Sequence, residues 1–290
     1  MPSLPSTDFL NQLFDAAVTA AMPQARVAQA LKPYLKNKPA GRVVVVGIGK
    51  SAAAMAKAVE DAWADHGDPI EGLVITRYGH SVPTESIEVI EAGHPVPDEN
   101  GMRGARRILQ RVEPLSADDL VICLISGGGS ALFTLPPKNI SLANLADINR
   151  QLLASGADIT SMNTVRKSLS CSSGGRLSAA AYPAQVVSLI ISDVAGDSLS
   201  AIASCPTVGD VATAADALEI INRYKLTVPD VVRVYLQRNP NPVITPDDTR
   251  LSTTTNYLIA TPQQSLEAAA QVAIAHGYTP LILSDAIEGE

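Results

Sequence analysis

The sequence predicts an α/β protein. It reads as a mostly parallel sheet with helices on both faces, a Rossmann-like three-layer arrangement, followed by part of a second, smaller α/β domain. Three observations carry this. Runs such as "RVVVVG" and "DLVICLIS" are continuous, apolar and strand-length, as expected of strands covered on both faces. They alternate with helical stretches, the pattern of βαβ units. Glycine-rich turns follow "RVVVV" and "DLVICLIS" directly, the place where such sheets bind ligands.

Each element follows in order. Residues 8–36 read as two amphipathic helices, the first, "TDFLNQLFDAAVTAA", capped by Thr7 or Asp8. Residues 42–47 form a β-branched strand, and "KSAAAMAKAVEDAWADH" is helical. Then come "GLVIT" (strand), "SIEVIEA" (strand), "DENGMRGARRILQRV" (helix) and "DDLVICLIS" (strand). Residues 142–155 and 158–169 read as helices, and "AQVVSLIIS" as another buried strand. A boundary is expected between residues 238 and 256, where "RNPNPVITPDDTRLSTTTN" is rich in Pro, Asn, Asp and Thr. Residues 1–250 then form the main domain. Residues 251–290 open a second one, with "YLIATPQQSLEAAAQVAIAHGYTPLILSD" read as strand, helix, strand.

Composition narrows the function. The chain has 290 residues, 46% of them hydrophobic, and a net charge of −7. The acidic balance argues against nucleic acid or an anionic membrane as the main partner, since both need a basic surface. No apolar run is long enough to span a bilayer, and "MPSLPSTDFL" lacks a signal pattern. Three cysteines, Cys123, Cys171 and Cys205, show no metal spacing. An odd count without a secretion signal suits a reducing cytoplasm. A small-molecule substrate is expected, and a homo-oligomer stays open.

The chemistry sits in the turns. In "VVVVGIGKSAAAMA" a strand runs through Gly47 and Gly49 into a helix. Glycines there let an anion approach free N–H groups at the helix start. Gly47, Gly49 and Ala52 also fit the dinucleotide fingerprint G-x-G-x-x-G/A, but the next strand ends at Arg77 rather than at an acid for a ribose hydroxyl. Lys50 opens the helix against its dipole, which points to ligand contact. In "DLVICLISGGGSAL" the consecutive Gly127, Gly128 and Gly129 are costly to order. Their N–H groups can form a nest for phosphate oxygens, with Ser126 and Ser130 adding hydroxyl donors. His80 and His94 are expected near the ligand cleft without a fixed role, and Asp98 reads as a helix cap. Arg166 and Lys167 are adjacent on a helix, about 100° apart, so they cannot both face one ligand; one is expected to be a surface charge. Asp193 and Asp197 follow a buried strand, where carboxylates suit a Mg²⁺-nucleotide site.

Together these pieces resemble the class II glycerate kinases, a MOFRL-related family whose members also carry the name hydroxypyruvate reductase. The matching blocks are "GIGKSAAAMA", "VITRYGH", "EAGHPVPDENG", "LISGGGSAL", "LLASGADITSMNTVRKSLS", "GGRL", "ISDVAGD" and "IAS" before "PT", in family order over residues 40–210. The resemblance implies ATP- and Mg²⁺-dependent phosphorylation of D-glycerate to 2-phosphoglycerate, in a cleft between two domains. It makes Lys50 the cation on the transferred phosphoryl group and the Ser126–Ser130 loop the holder of nucleotide phosphates. It gives Arg166 or Lys167 to glycerate or phosphate, and Asp193 and Asp197 to Mg²⁺. Asp193 and Arg166 thereby join Lys50 as candidate catalytic residues.

The chain departs from the family at Ser173, where members usually carry Lys, and at Cys205, where they usually carry Gly. "TPQQSLEAA" replaces an Asn-rich helix start. The family pattern also continues well past residue 290, so the resemblance implies a second domain cut short and an impaired kinase. An NAD(P)H-dependent hydroxypyruvate reductase and a non-catalytic nucleotide binder are the alternatives.

Overall fold

A computed structural model describes residues 6–37 and 39–287. Its centre is one six-stranded sheet of β1 (Val43–Ile48), β2 (Ile70–Arg77), β3 (Ile87–Ala92), β4 (Leu120–Ile125), β5 (Gln185–Ile191) and β6 (Thr254–Ala260). The order is β3-β2-β1-β4-β5-β6, and every pairing is parallel. β1 and β4 are buried along their whole length, which explains why their sequences are unbroken apolar runs.

The period of two along each strand divides the core between the two faces. Val44, Val46 and Ile48 of β1 join Leu73, Ile125 and Phe133 on one face. That face is covered by α4 (Glu99–Val112) and α8 (Arg176–Ala181). Val43 and Val45 join Met55, Trp63, Val74 and Leu124 on the other, under α2 (Pro23–Lys36) and α3 (Ala52–Trp63). α1 (Thr7–Ala21) is capped by Ser6, whose hydroxyl accepts from the Phe9 N–H at 3.2 Å, one residue before the expected cap. It packs on α11 (Pro262–Ala275).

A third core, around Ile148, Leu152, Val165, Ile221 and Leu236, is helical. It joins α6 (Leu142–Ala154), α7 (Ile159–Ser168), α9 (Ala214–Arg223) and α10 (Asp230–Arg238). The last two lie in a stretch the sequence reading leaves without elements. The short α5 (Gly129–Leu132) begins on the last glycine of the run.

β6 pairs with β5 from Val186↔Thr254 to Ile191↔Ala260, so residues on both sides of the boundary expected at residue 250 share one sheet. The strand expected at "PLILS" is not formed. Pro280 removes a ladder donor, and Leu281 and Leu283 stand 82% and 75% exposed.

Strand order reverses between β1 and β4. In open parallel sheets ligands bind in the crevice beyond the carboxyl ends of the strands at that point.

Candidate active site

The loops after β1 and β4 meet at the switch point and are laced together. The N–H of Lys50 donates to the Gly127 carbonyl at 2.8 Å, and that of Ser51 to Ser126 Oγ at 3.0 Å. The N–H of Gly49 donates to Ile75 O and that of Ala52 to Gly49 O, both at 3.1 Å. So the first loop does not offer the free N–H groups expected of it. Gly47 lies inside β1, where a Cβ would come within 2.9 Å of Leu124 and Val74, so it serves strand packing. Gly49 has φ +127° and lies against Ser126, a conformation and an approach that favour glycine. Ser126 is buried and joins the two loops; its hydroxyl is not among the groups lining the cleft.

The second loop is different. Among the described residues, the N–H groups of Gly127, Gly128, Gly129 and Ser130 make no hydrogen bond within the protein. Gly128 has φ +85°, and the run is crowded: a Cβ on Gly127 would overlap the Asp193 carboxylate, and one on Gly128 would come within 2.9 Å of the His94 ring. Successive unpaired N–H groups of this kind form an anion-binding concavity.

An open cleft of about 370 Å³ lies over this loop. Lys50, His94, Gly128, Ser130, Arg166 and Asp193 are among its lining residues. Lys50 Nζ is 3.1 Å from Asp193 Oδ2, with both side chains more than a third exposed. A pair so wetted adds little stability and opens at low cost for a ligand. Ser130 Oγ accepts from Ser204 at 2.7 Å. Arg166 Nε donates to Asn149 Oδ1 at 2.7 Å; among the described residues it has no acidic partner. Burial lowers its pKa from the ordinary value, and the group stays charged.

The structure contradicts the expectation that Arg166 or Lys167 is a surface charge. Arg166 faces the cleft. Lys167 is not a surface charge: it forms an ion pair with Asp210, the two side chains 6% and 11% exposed, and it also donates to Ser200 O at 3.2 Å.

Asp197 is not among the cleft-lining residues. It adopts φ +53°, and its Oδ1 is buried without a hydrogen-bond partner. Among the described residues no group of three or more His, Cys, Asp or Glu could hold a metal. One or two carboxylates completed by substrate phosphates is the ligand set typical of Mg²⁺. Asp193, exposed at the cleft, fits such a role, and the unpartnered Asp197 oxygen on the same turn is compatible with it. Asp98 caps α4, accepting from the Gly101 N–H at 2.9 Å. His80 is not among the lining residues.

The two departures from the family pattern have local accounts. Ser173 is buried and donates to Ser170 Oγ at 2.8 Å, in a recess that Arg166 also lines. Cys205 has φ +58° and ends a left-handed run with Ala203 and Ser204, where non-glycine residues carry roughly 1–2 kcal/mol of strain each. Burial pushes its thiol up to about 12.

A family model described as "Domain of unknown function (DUF4147)" matches residues 9–237. The chain belongs to this family. A relative from Agrobacterium vitis, under the provisional name hydroxypyruvate reductase, is 49% identical to this DUF4147 chain over 97% of its length and 62% of the relative's. The D-glycerate 2-kinase of Thermotoga maritima is 40% identical over 90% of this chain and 61% of the relative. A crystal structure of a Thermotoga maritima glycerate kinase superposes with a TM-score of 0.79 at 36% identity, over 95% of this chain and 64% of that one. This DUF4147 chain thus spans less than two thirds of each of these relatives.

His94 gives the site a titratable reporter. Burial, then the charges of Lys50 and Arg77, hold its imidazole below the ordinary 6.5; Asp193 acts in the opposite direction and Arg166 adds to the lowering. An NMR titration is expected to place His94 below 6.5, and Lys50→Met to move it back upward. A His94 already titrating above 6.5 in the unmodified chain would contradict this electrostatic reading.

Proposed function

We propose that this chain forms the nucleotide-facing part of a glycerate kinase, which transfers a phosphoryl group from ATP to D-glycerate and yields 2-phosphoglycerate. The observation that carries the proposal is the run of four unpaired N–H groups, Gly127 to Ser130, under a cleft that also presents Lys50, Arg166 and Asp193. The names of the Thermotoga relatives support it.

Phosphoryl transfer asks the protein for positioning and charge neutralisation more than for a covalent nucleophile. The Gly127–Ser130 amides hold the nucleotide phosphates. Lys50 leaves Asp193 for the transferred group as its oxygens gain charge. Arg166 holds the acceptor, so that its hydroxyl oxygen bonds the γ-phosphorus as the bond to the bridging oxygen breaks; ADP leaves with that oxygen, and the hydroxyl proton passes to the solvent of the open cleft. Asp193, with Asp197, would hold Mg²⁺, which would supply further neutralisation of the phosphate charge.

The reductase alternative has its own support: the strand order matches the dinucleotide-binding one, and the Agrobacterium relative carries that name. The β1 loop argues against it, since its amides are occupied and β2 ends at Arg77. Phosphorus NMR of the chain with Mg²⁺, ATP and D-glycerate is expected to reveal a new phosphomonoester signal that grows slowly, in keeping with the impaired kinase that the family resemblance implies. Oxidation of NADH by hydroxypyruvate, with no such signal, would replace the kinase reading.

A further inference from the structure

We infer that Asn149 is a positioning residue which aims Arg166 at the carboxylate of the acceptor. Asn149 lies in α6 and is only 7% exposed. Its two amide atoms serve different loops. Oδ1 accepts from Arg166 Nε at 2.7 Å, and Nδ2 donates to the Pro95 carbonyl at 2.8 Å. The orientation of the amide follows from its partners, because a guanidinium only donates and a carbonyl only accepts.

The consequence is at the far end of the arginine. With Nε engaged, the N–H groups of the two terminal nitrogens remain, and no acidic side chain among the described residues takes them. They form the planar fork that matches a carboxylate in two parallel hydrogen bonds. A wholly exposed arginine would lose rotamer freedom on gripping a ligand; here the buried amide has already fixed the side chain. The same amide ties Arg166 to the His94–Pro95 turn, so fork and turn, both lining the cleft, are held in register.

The choice of carboxylate over phosphate comes from placement. The phosphate nest belongs to the loop after β4 and Lys50 to the loop after β1, whereas Arg166 stands on α7. The neighbouring cleft wall carries Leu153 and Ile159. A small hydroxy acid held there by its carboxylate would keep its hydroxyl free for the phosphoryl group. The identity of the anion rests on the kinase reading; the fixing of the fork by Asn149 does not.

Calorimetry with D-glycerate, glycerol and Mg²⁺-ATP tests the inference on the unmodified chain, Asn149→Leu and Arg166→Lys. D-glycerate is expected to bind and glycerol, which lacks the carboxylate, is not. Both substitutions should weaken D-glycerate about tenfold or more, the usual weight of a hydrogen bond to a charged group, and leave Mg²⁺-ATP affinity within about twofold. If Asn149→Leu fails to fold, Asn149→Asp, of nearly the same size, is read in the same way, since it places a negative charge on the fork. A parallel loss of Mg²⁺-ATP would make Asn149 merely structural and overturn the inference. So would unchanged D-glycerate affinity, or no D-glycerate binding by the unmodified chain. D-glycerate binding without Mg²⁺-ATP binding would leave the fork standing and remove the kinase reading instead.

Discussion

Lys167→Ala is expected to lower the stability of the fold by about 3–5 kcal/mol, the range for removing one partner of a buried ion pair. Lys167 and Asp210 are nearly closed to solvent, so Asp210 would be left as an uncompensated buried charge. Its remaining contact, Oδ1 accepting from the Ala212 N–H at 2.8 Å, satisfies one lone pair and adds no countercharge. The double substitution Lys167→Met with Asp210→Leu should recover most of the loss, because apolar replacements of similar volume remove the desolvation penalty from both sides. Urea unfolding of the three chains reads this directly. A loss below about 1 kcal/mol for Lys167→Ala, the size seen for exposed pairs, would mean that water reaches the pair. The effect matters to the site because Lys167 anchors the helix that carries Arg166.

On the proposed kinase function, Gly127→Ala is expected to slow phosphoryl transfer about a hundredfold, the scale of a misplacement near 1 Å in a catalytic group, with a much smaller effect on thermal stability. A Cβ at this position would overlap the Asp193 carboxylate. Asp193 is exposed, so it can turn away without unfolding the sheet. In doing so it loses Lys50, and the nest, the cation and the carboxylate no longer share one geometry. A coupled assay for ADP, run beside a thermal melt, separates the two effects. A rate within about threefold of the unmodified chain would show that Asp193 and the nest act independently, since each tenfold change corresponds to about 1.4 kcal/mol in the barrier.

These two residues also mark how far the sequence can be read. The strands were legible because β1 and β4 are buried on both faces and so carry no polar interruption. The switch-point loops were legible because three glycines in a row have few uses. Their individual reasons were not: Gly127 meets Asp193, Gly128 meets His94 and Gly129 meets Ala203, contacts supplied by distant segments. The β1 loop misled for the same cause. Its glycines suggest an open anion site, yet its N–H groups are taken by Ile75, Ser126 and Gly127, which no local pattern reveals. For Arg166 and Lys167, helix geometry separates the two side chains, but the Asp210 that buries Lys167 lies 43 residues along the chain. Asn149 gave no signal at all, since a polar residue within a helix usually faces water. The edge strand β6 follows a Pro- and Thr-rich stretch that resembles a linker, so its pairing with β5 is hidden from a local reading.

On the proposed function, the Gly127–Ser130 amides and Lys50 hold the phosphates of ATP. Calorimetric titration of the unmodified chain and of Lys50→Ala with Mg²⁺-ATP, adenosine and NADH tests it most directly. Mg²⁺-ATP is expected to bind more tightly than NADH, and Lys50→Ala to weaken Mg²⁺-ATP while leaving adenosine unchanged. Clear NADH binding with no heat from Mg²⁺-ATP would contradict it, as would an equal loss of Mg²⁺-ATP and adenosine in Lys50→Ala.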